Sequence, residues 1–331
     1  MAATYTVGDG KDYATIQLAI DAIPGNLSGQ EKQHVQVYAK AAGYAETLNL
    51  TTGFSNGSAT DYIDVEAMVS HSGKRGQGIV VDCSSASNAL CKIGVAYTRV
   101  HGFCFFGNPA YADPVSGIEC NGSNCMVYDN IIYDIVSSYT VSGILCARVG
   151  TRVRNNIITT LHTVPKSGDA AIMIIIHGTA GNEHEINNNT LVDASLVCVG
   201  FAFNSANYTN ISNNYVGGYS TNKCFQNCNG SNGSVNYNIS SDGTADDFGG
   251  TGNLVNKAAA DCFECVVAGK ENLDLRYTGA CYREGQDNSA LFTTDARGSL
   301  FKLWETGALV KRYQKTVGTS DQVSINGVKY V

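Results

Sequence analysis

Between residues 127 and 240 one short phrase occurs five times: a β-branched residue, then Asn two or three positions later, then aliphatic or aromatic residues. The copies are Val127-Tyr128-Asp129-Asn130-Ile131-Ile132, Val153-Arg154-Asn155-Asn156-Ile157-Ile158, Ile186-Asn187-Asn188-Asn189-Thr190-Leu191, Ile211-Ser212-Asn213-Asn214-Tyr215-Val216 and Val235-Asn236-Tyr237-Asn238-Ile239-Ser240. Their last aligned asparagines, Asn130, Asn156, Asn189, Asn214 and Asn238, are 26, 33, 25 and 24 residues apart. A repeat in that range describes one supersecondary unit stacked on copies of itself, because a unit so small buries its apolar face only against its neighbours.

The contents of the period decide which stack it is. A second apolar stretch precedes each phrase: Gly117-Ile118-Glu119-Cys120, Gly143-Ile144-Leu145-Cys146, the run from Ile172 to Ile176, Gly200-Phe201-Ala202-Phe203 and Lys223-Cys224-Phe225-Gln226. Both stretches are short, rich in Val, Ile, Phe and Tyr, and bounded by Gly, Asn and Ser, which reads as strands. Two or three strands per unit with no helix between them predict an all-β protein, a parallel β-helix.

Asn has a physical role at its place in the phrase. A sharp turn between strands needs a residue in the left-handed conformation, which Asn tolerates better than any residue except Gly. Stacked in register, its side chains also hydrogen-bond to one another or to turn backbone above and below. The five asparagines are therefore expected to form a structural ladder rather than a ligand site. Cys120, Cys146 and Cys228 each lie ten residues before the aligned Asn of their unit, which places them on one interior column suited to a small apolar thiol. Twelve cysteines raise the question of metal or disulfides. Cys224/Cys228 and Cys262/Cys265 lack a partner pair at zinc-site spacing, so neither metal nor cofactor is expected. Rungs about 4.8 Å apart bring stacked thiols within bonding distance, and the sequence leaves their redox state open.

With 36 Gly, 4 Pro and 15% charged residues, the 331-residue chain is turn-rich and weakly charged, long enough to bury a large elongated core. No apolar stretch approaches a membrane span, and the N-terminus lacks the basic and apolar regions of a secretory signal. A net charge of −7 argues against nucleic acid or an anionic membrane as the main partner.

An open stack must cover its first and last rungs. Tyr13, Ile16, Ala19, Ile20 and Ile23 fall at helical spacing, which predicts a covering helix over 12–24, capped by Asp12 and stopped by Pro24. The run Thr6-Val7-Gly8-Asp9-Gly10-Lys11-Asp12-Tyr13-Ala14-Thr15-Ile16-Gln17-Leu18-Ala19-Ile20-Asp21-Ala22-Ile23-Pro24 resembles the opening of right-handed parallel β-helix proteins of the pectin-lyase-like superfamily. Leu273-Asp274-Leu275-Arg276, Gly279-Ala280-Cys281, Gly285, Thr294-Asp295-Ala296-Arg297-Gly298 and Trp304-Glu305-Thr306-Gly307-Ala308 are similar to the closing segment of bacterial and tailed-phage β-helix proteins. The resemblance implies a right-handed solenoid, divided into an N-terminal strand and capping helix (1–29), the β-helix (30–270), and a C-terminal cap with a β-rich, non-repeat tail (271–331). That tail reads as a hairpin around Asn326-Gly327.

Enzymes of this superfamily carry recognisable phrases, and this chain departs from them. The pectinesterase phrase Gly-x-x-Asp-Phe-Ile-Phe-Gly is absent. The only Asp-Asp, Asp246-Asp247, lacks the Asn-Thr-Asp and Gly-His-Gly companions of polygalacturonases. Weak catalytic candidates remain in Asp134, Asp193 and Asp242, each four residues after its aligned Asn and thus on one edge of the stack, on alternate rungs. Such rungs are roughly 9–10 Å apart, overlapping the carboxyl separation of about 6.5–9.5 Å used by inverting glycosidases. The longest unit carries an inserted loop, 162–185, with Lys166, Asp169, His177 and Glu183-His184-Glu185, where a rigid scaffold would concentrate function.

The expectation is a non-enzymatic structural and recognition protein of a virus particle: a tailed-phage capsid decoration, fibre or spike-like component on the virion surface, made in the host cytoplasm. Its expected partners are other virion proteins of capsid or tail and a cell-surface glycan, with a homo-oligomer such as a trimer compatible with the fold. The alternative is a polysaccharide lyase or glycoside hydrolase acting on an acidic or surface glycan.

Overall fold

The computed structural model describes residues 1–51, 53–84, 88–107, 115–137, 141–163, 171–176, 184–193, 198–203, 209–218, 224–226, 234–265, 272–275, 324–325 and 328–329. The chain winds as a parallel β-solenoid through three sheets in turn, so that each circuit adds one strand to each wall. Nine strands build the first wall, eight the second and seven the third.

The first wall is built from a three-residue motif. Strand centres Val35, Val65, Val100, Val127, Val153, Ile186, Ile211 and Val235 are in register and buried, while the residue on either side of each points outward. Alternation with period two assigns one face to the core and the other to solvent. Inward residues of the other walls complete the filling: Val81, Phe105, Ile132, Ile158, Leu191 and Val216 from the second, and Cys91, Ile118, Ile144 and Ile174 from the third. Each side chain sits on its equivalent one coil away, and burying each is worth about 1.5–3 kcal/mol. In the third wall Gly117 is required by close approach, since a Cβ there would stand 2.5 Å from the Gly143 carbonyl oxygen.

The corner between first and second walls carries the asparagines. Left-handed backbone falls one residue before the ladder: at Gly102, Asp129, Asn155, Asn188, Asn213 and Tyr237, with φ between 53° and 83°. The turn thus corrects the sequence reading, which gave both tasks to one residue. The ladder Asn must direct its amide and its backbone N–H along the stack, so the residue before it makes the bend. Asp and Asn fill four of these six bends because their short polar side chains tolerate that region.

At the first end the helix α1 (Ile16–Asp21) buries Ile16, Ala19 and Ile20 against the stack. It is shorter than the predicted span and is capped by Thr15, whose hydroxyl accepts from Leu18 N at 3.2 Å, not by Asp12. Asp12 instead accepts the Thr6 hydroxyl at 2.6 Å. Glu46 accepts the N–H groups of Ile16 and Gln17 at 3.0 and 2.8 Å, fixing α1 to the next coil. Beyond the last coil lie a second short helix, Ala259–Cys262, and an antiparallel pair, Phe263–Cys265 with Asn272–Leu275. Ser324–Ile325 pairs antiparallel with Val328–Lys329, and the Asn326-Gly327 between them lies outside the described residues.

Candidate functional site on the nine-stranded wall

The five asparagines stand in one buried column. Asn130 Nδ2 donates to Asn156 Oδ1 at 3.1 Å, Asn156 to Asn189 at 3.1 Å, Asn189 to Asn214 at 2.9 Å and Asn214 to Asn238 at 2.9 Å. Every one of those Oδ1 atoms also accepts the backbone N–H of the asparagine before it. Each Nδ2 further donates to a strand-centre carbonyl of the preceding coil: Val100, Val127, Val153, Ile186 and Ile211. Asn253 extends the column, accepting from Asn238 N at 2.9 Å and donating to Val235 O at 2.7 Å. The amide groups are thus consumed internally and face no solvent.

Cys120 and Cys146 are register partners inside the third wall, both fully buried. Cys228 lies outside the described residues. So do His177, Glu183, Lys166 and Asp169, while Cys265 and Asp193 are placed by backbone alone.

Of the acidic candidates, Asp134 occupies a β-bulge, with φ of 50° where the register with the preceding strand shifts. Its carboxylate pairs with Arg75, whose guanidinium lies over the Tyr133 ring at 4.8 Å, and Tyr133 stacks on Phe106 at 5.5 Å. Asp193 is in register with Gly218 in the second wall. Asp242 lies past the last strand of that wall. It accepts from Cys224 N at 2.9 Å, Thr244 N at 3.0 Å and the Thr244 hydroxyl at 2.6 Å. Burial opposes its ionisation, but those hydrogen bonds outweigh it and hold the carboxyl below the usual range. Asp134 and Asp242 therefore each have a local structural task.

His184 is fully buried, and among the described residues neither of its ring nitrogens has a hydrogen-bond partner. Desolvation lowers its pKa to about 4. It is in register with Thr209 on the following strand and sits one residue before Glu185, whose backbone N–H donates to the carbonyl of buried Thr151 at 3.1 Å, which makes Thr151 its neighbour one coil earlier. This imidazole is a neutral core group.

The densest grouping of chemistry-bearing side chains is one the repeat phrase did not reveal: the outer face of the first wall. Asp64 receives Lys32 Nζ at 2.6 Å and His101 Nε2 at 3.0 Å. On the same strands His34 Nε2 meets Glu66 Oε2 at 2.7 Å, and Gln36 Nε2 reaches His34 Nδ1 at 3.4 Å. His101 stacks on Tyr128 with ring centroids 4.3 Å apart and planes 11° from parallel. Arg99 covers the Tyr62 ring at 4.0 Å. Further along, Glu185 binds both Arg154 and Arg152, the latter at 3.4 Å. The last strands present Asn210, Ser212, Ser234 and Asn236, joined by the Ser212–Asn187 and Ser234–Asn210 hydrogen bonds at 2.8 and 2.9 Å.

Asp64 is nearly buried, and burial alone would raise its pKa. The His101 hydrogen bond and charge, followed by Lys32, override that and lower it to about 2. Burial raises the Tyr128 phenol, with the Asp64 charge adding to it. The wall is consequently a fixed mosaic: a carboxylate-histidine patch on the early coils, guanidinium groups in the middle, neutral amides and hydroxyls on the late coils. Among the described residues no three His, Cys, Asp or Glu side chains converge to hold a metal ion. A signal for this wall exists in the sequence as His-Val-Gln, Asp-Val-Glu, Arg-Val-His, Met-Val-Tyr and Arg-Val-Arg, a valine once per coil whose flanking residues, Met126 apart, are polar. No family model, no curated protein and no solved structure matches the chain.

Proposed function

We propose that this chain is a non-enzymatic structural and recognition protein of a virus particle, of the capsid-decoration, fibre or spike-like kind found on tailed phages, which displays its nine-stranded wall to a partner. The observation that carries the reading is the use to which the wall and the acidic groups are put. Asp134 and Asp242 hold a bulge and a turn in place, whereas Asp64, Glu66, His34, His101, Arg152, Arg154 and Glu185 tie one another into a fixed outer face. An exposed ion pair contributes only about 0–1 kcal/mol to stability, whereas the nearly buried Asp64, its pKa held low by His101 and Lys32, adds more. The more exposed members, Lys32, Glu66 and Arg152, are pre-ordered by these contacts and suit recognition, because a partner then meets side chains whose ordering cost is already met. The resemblance of the opening and closing segments to phage β-helix proteins supports the setting.

Two measurements test the reading. Mass spectrometry of purified particles should detect the chain in stoichiometric amount, and its absence from particles would end the virion reading. The double variant Glu66→Ala/His101→Ala should keep the wild-type circular dichroism yet lose attachment to the particle or to a cell-surface glycan. In the competing reading, a lyase or hydrolase, acidic polysaccharide is cleaved by the wild type and spared by Asp134→Ala and Asp193→Ala. Cleavage with that dependence would replace the proposal.

A further inference from the structure

We infer that Cys120 and Cys146 are a modification site: a disulfide between consecutive coils, formed by exchange with a small-molecule disulfide of the glutathione class, that closes one full circuit of the solenoid. The two residues are in-register partners on neighbouring parallel strands, Val115–Cys120 and Val141–Cys146. Strands in that relation lie about 4.8 Å apart, inside the range of roughly 4.4–6.8 Å between the Cα atoms of bridged cysteines. Both side chains point into the core and are fully buried. Four residues earlier on the same strands, the buried hydroxyls of Ser116 and Ser142 meet at 2.7 Å and pin this register.

What sets the pair apart is the company its thiols keep. Cys83 approaches Glu46 O at 3.1 Å, Cys104 approaches Gln77 O at 3.1 Å, and Cys125 approaches the carbonyls of Val95 and Gly122 at 3.2 Å. Cys224 lies 3.5 Å from the Ser241 hydroxyl. Cys91 faces Leu48 and Ile118 in register. Cys120, by contrast, has another cysteine, Cys146, as its register partner on the next strand.

The chemistry balances. One protein thiolate attacks glutathione disulfide, forming a mixed disulfide and releasing one glutathione thiolate. The second protein thiolate attacks the protein sulfur of that mixed disulfide and expels a second glutathione. Two protons leave the protein thiols, and two electrons pass to the small disulfide, which becomes two thiols. Because both cysteines are buried, exchange takes place while this coil is open, during folding or partial unfolding.

The full-length protein is incubated with glutathione disulfide across urea concentrations below its unfolding transition, blocked with N-ethylmaleimide, digested and mapped by mass spectrometry. A cross-linked peptide joining Cys120 to Cys146 is expected, growing with urea while the circular dichroism stays native. The oxidised protein should melt several degrees above a sample treated with dithiothreitol. Cys91→Ser should retain both effects and Cys146→Ser should lose both. Maleimide on Cys120 and Cys146 at every urea concentration, or a bridge from either to a different cysteine, would overturn the inference. The wild-type peptide map decides alone, so a variant that fails to fold leaves the test intact.

Discussion

A ladder asparagine solves a problem that its coil cannot solve locally. At the corner between two walls the carbonyl of the strand-centre Val or Ile and the backbone N–H of the ladder asparagine in the same coil are both met by the asparagine side chain of the next coil. Asn189 meets both needs of the preceding coil: its Nδ2 donates to Val153 O and its Oδ1 accepts Asn156 N. Truncation leaves several buried groups unpaired at about 1–3 kcal/mol each, so Asn189→Ala should lower stability in urea by about 3 kcal/mol or more. Asn210→Ala, on the exposed wall, should stay within about 0.5 kcal/mol of wild type. His184 makes a second residue-scale prediction. Its pKa falls from 6.5 in the unfolded chain to about 4 in the folded one, so the unfolded chain takes up the proton first on acidification. The stability it confers is complete above pH 6.5 and declines as pH falls toward 4, by an amount on the order of 3 kcal/mol. His184→Thr, matching its neighbour Thr151, should flatten that stretch of the urea-midpoint against pH curve, and an unchanged slope would contradict the assignment.

At the scale of elements, α1 and the bulge at Asp134 are the places where regular stacking is modified. The Thr15 cap is worth about 1 kcal/mol, so Thr15→Ala should lower the unfolding free energy measured in urea by that amount. Removing α1 outright would expose the terminal coil, and concentration-dependent association by light scattering is the expected result. The ladder was legible in the sequence because five successive coils share one turn, so the asparagines align at nearly constant spacing. Earlier coils escaped because the ladder position there is Phe103, whose N–H is met by Asn130 Oδ1 at 3.1 Å, and because the turn is made by Gly102. Helix boundaries were misplaced since Asp12 and Thr15 are equally good caps by type, and only Glu46, some thirty residues on, decides where the first turn begins. The polar outer face of the first wall was hidden for a similar reason: His34, Glu66 and His101 become neighbours only through the register of three coils.

Taken whole, the molecule is nearly one-dimensional. Each coil touches the ones before and after it, so its stability approximates a sum of coil and interface terms. The column of asparagines couples those terms along one corner, while the outer wall bears a fixed set of paired charges, rings and amides. This separation lets a rigid stack display a mosaic of charge, aromatic and amide groups at a fixed rung spacing, which is the property the proposed recognition role uses. The most direct test of the coupling is residue-resolved hydrogen exchange on Asn189→Ala. Loss of Asn189 Oδ1 should strip protection from the Asn156 backbone amide, which donates to it at 2.9 Å, while the Asn214 amide, held by Asn238 at 3.0 Å, stays protected. Equal protection of Asn156 in variant and wild type would contradict the account.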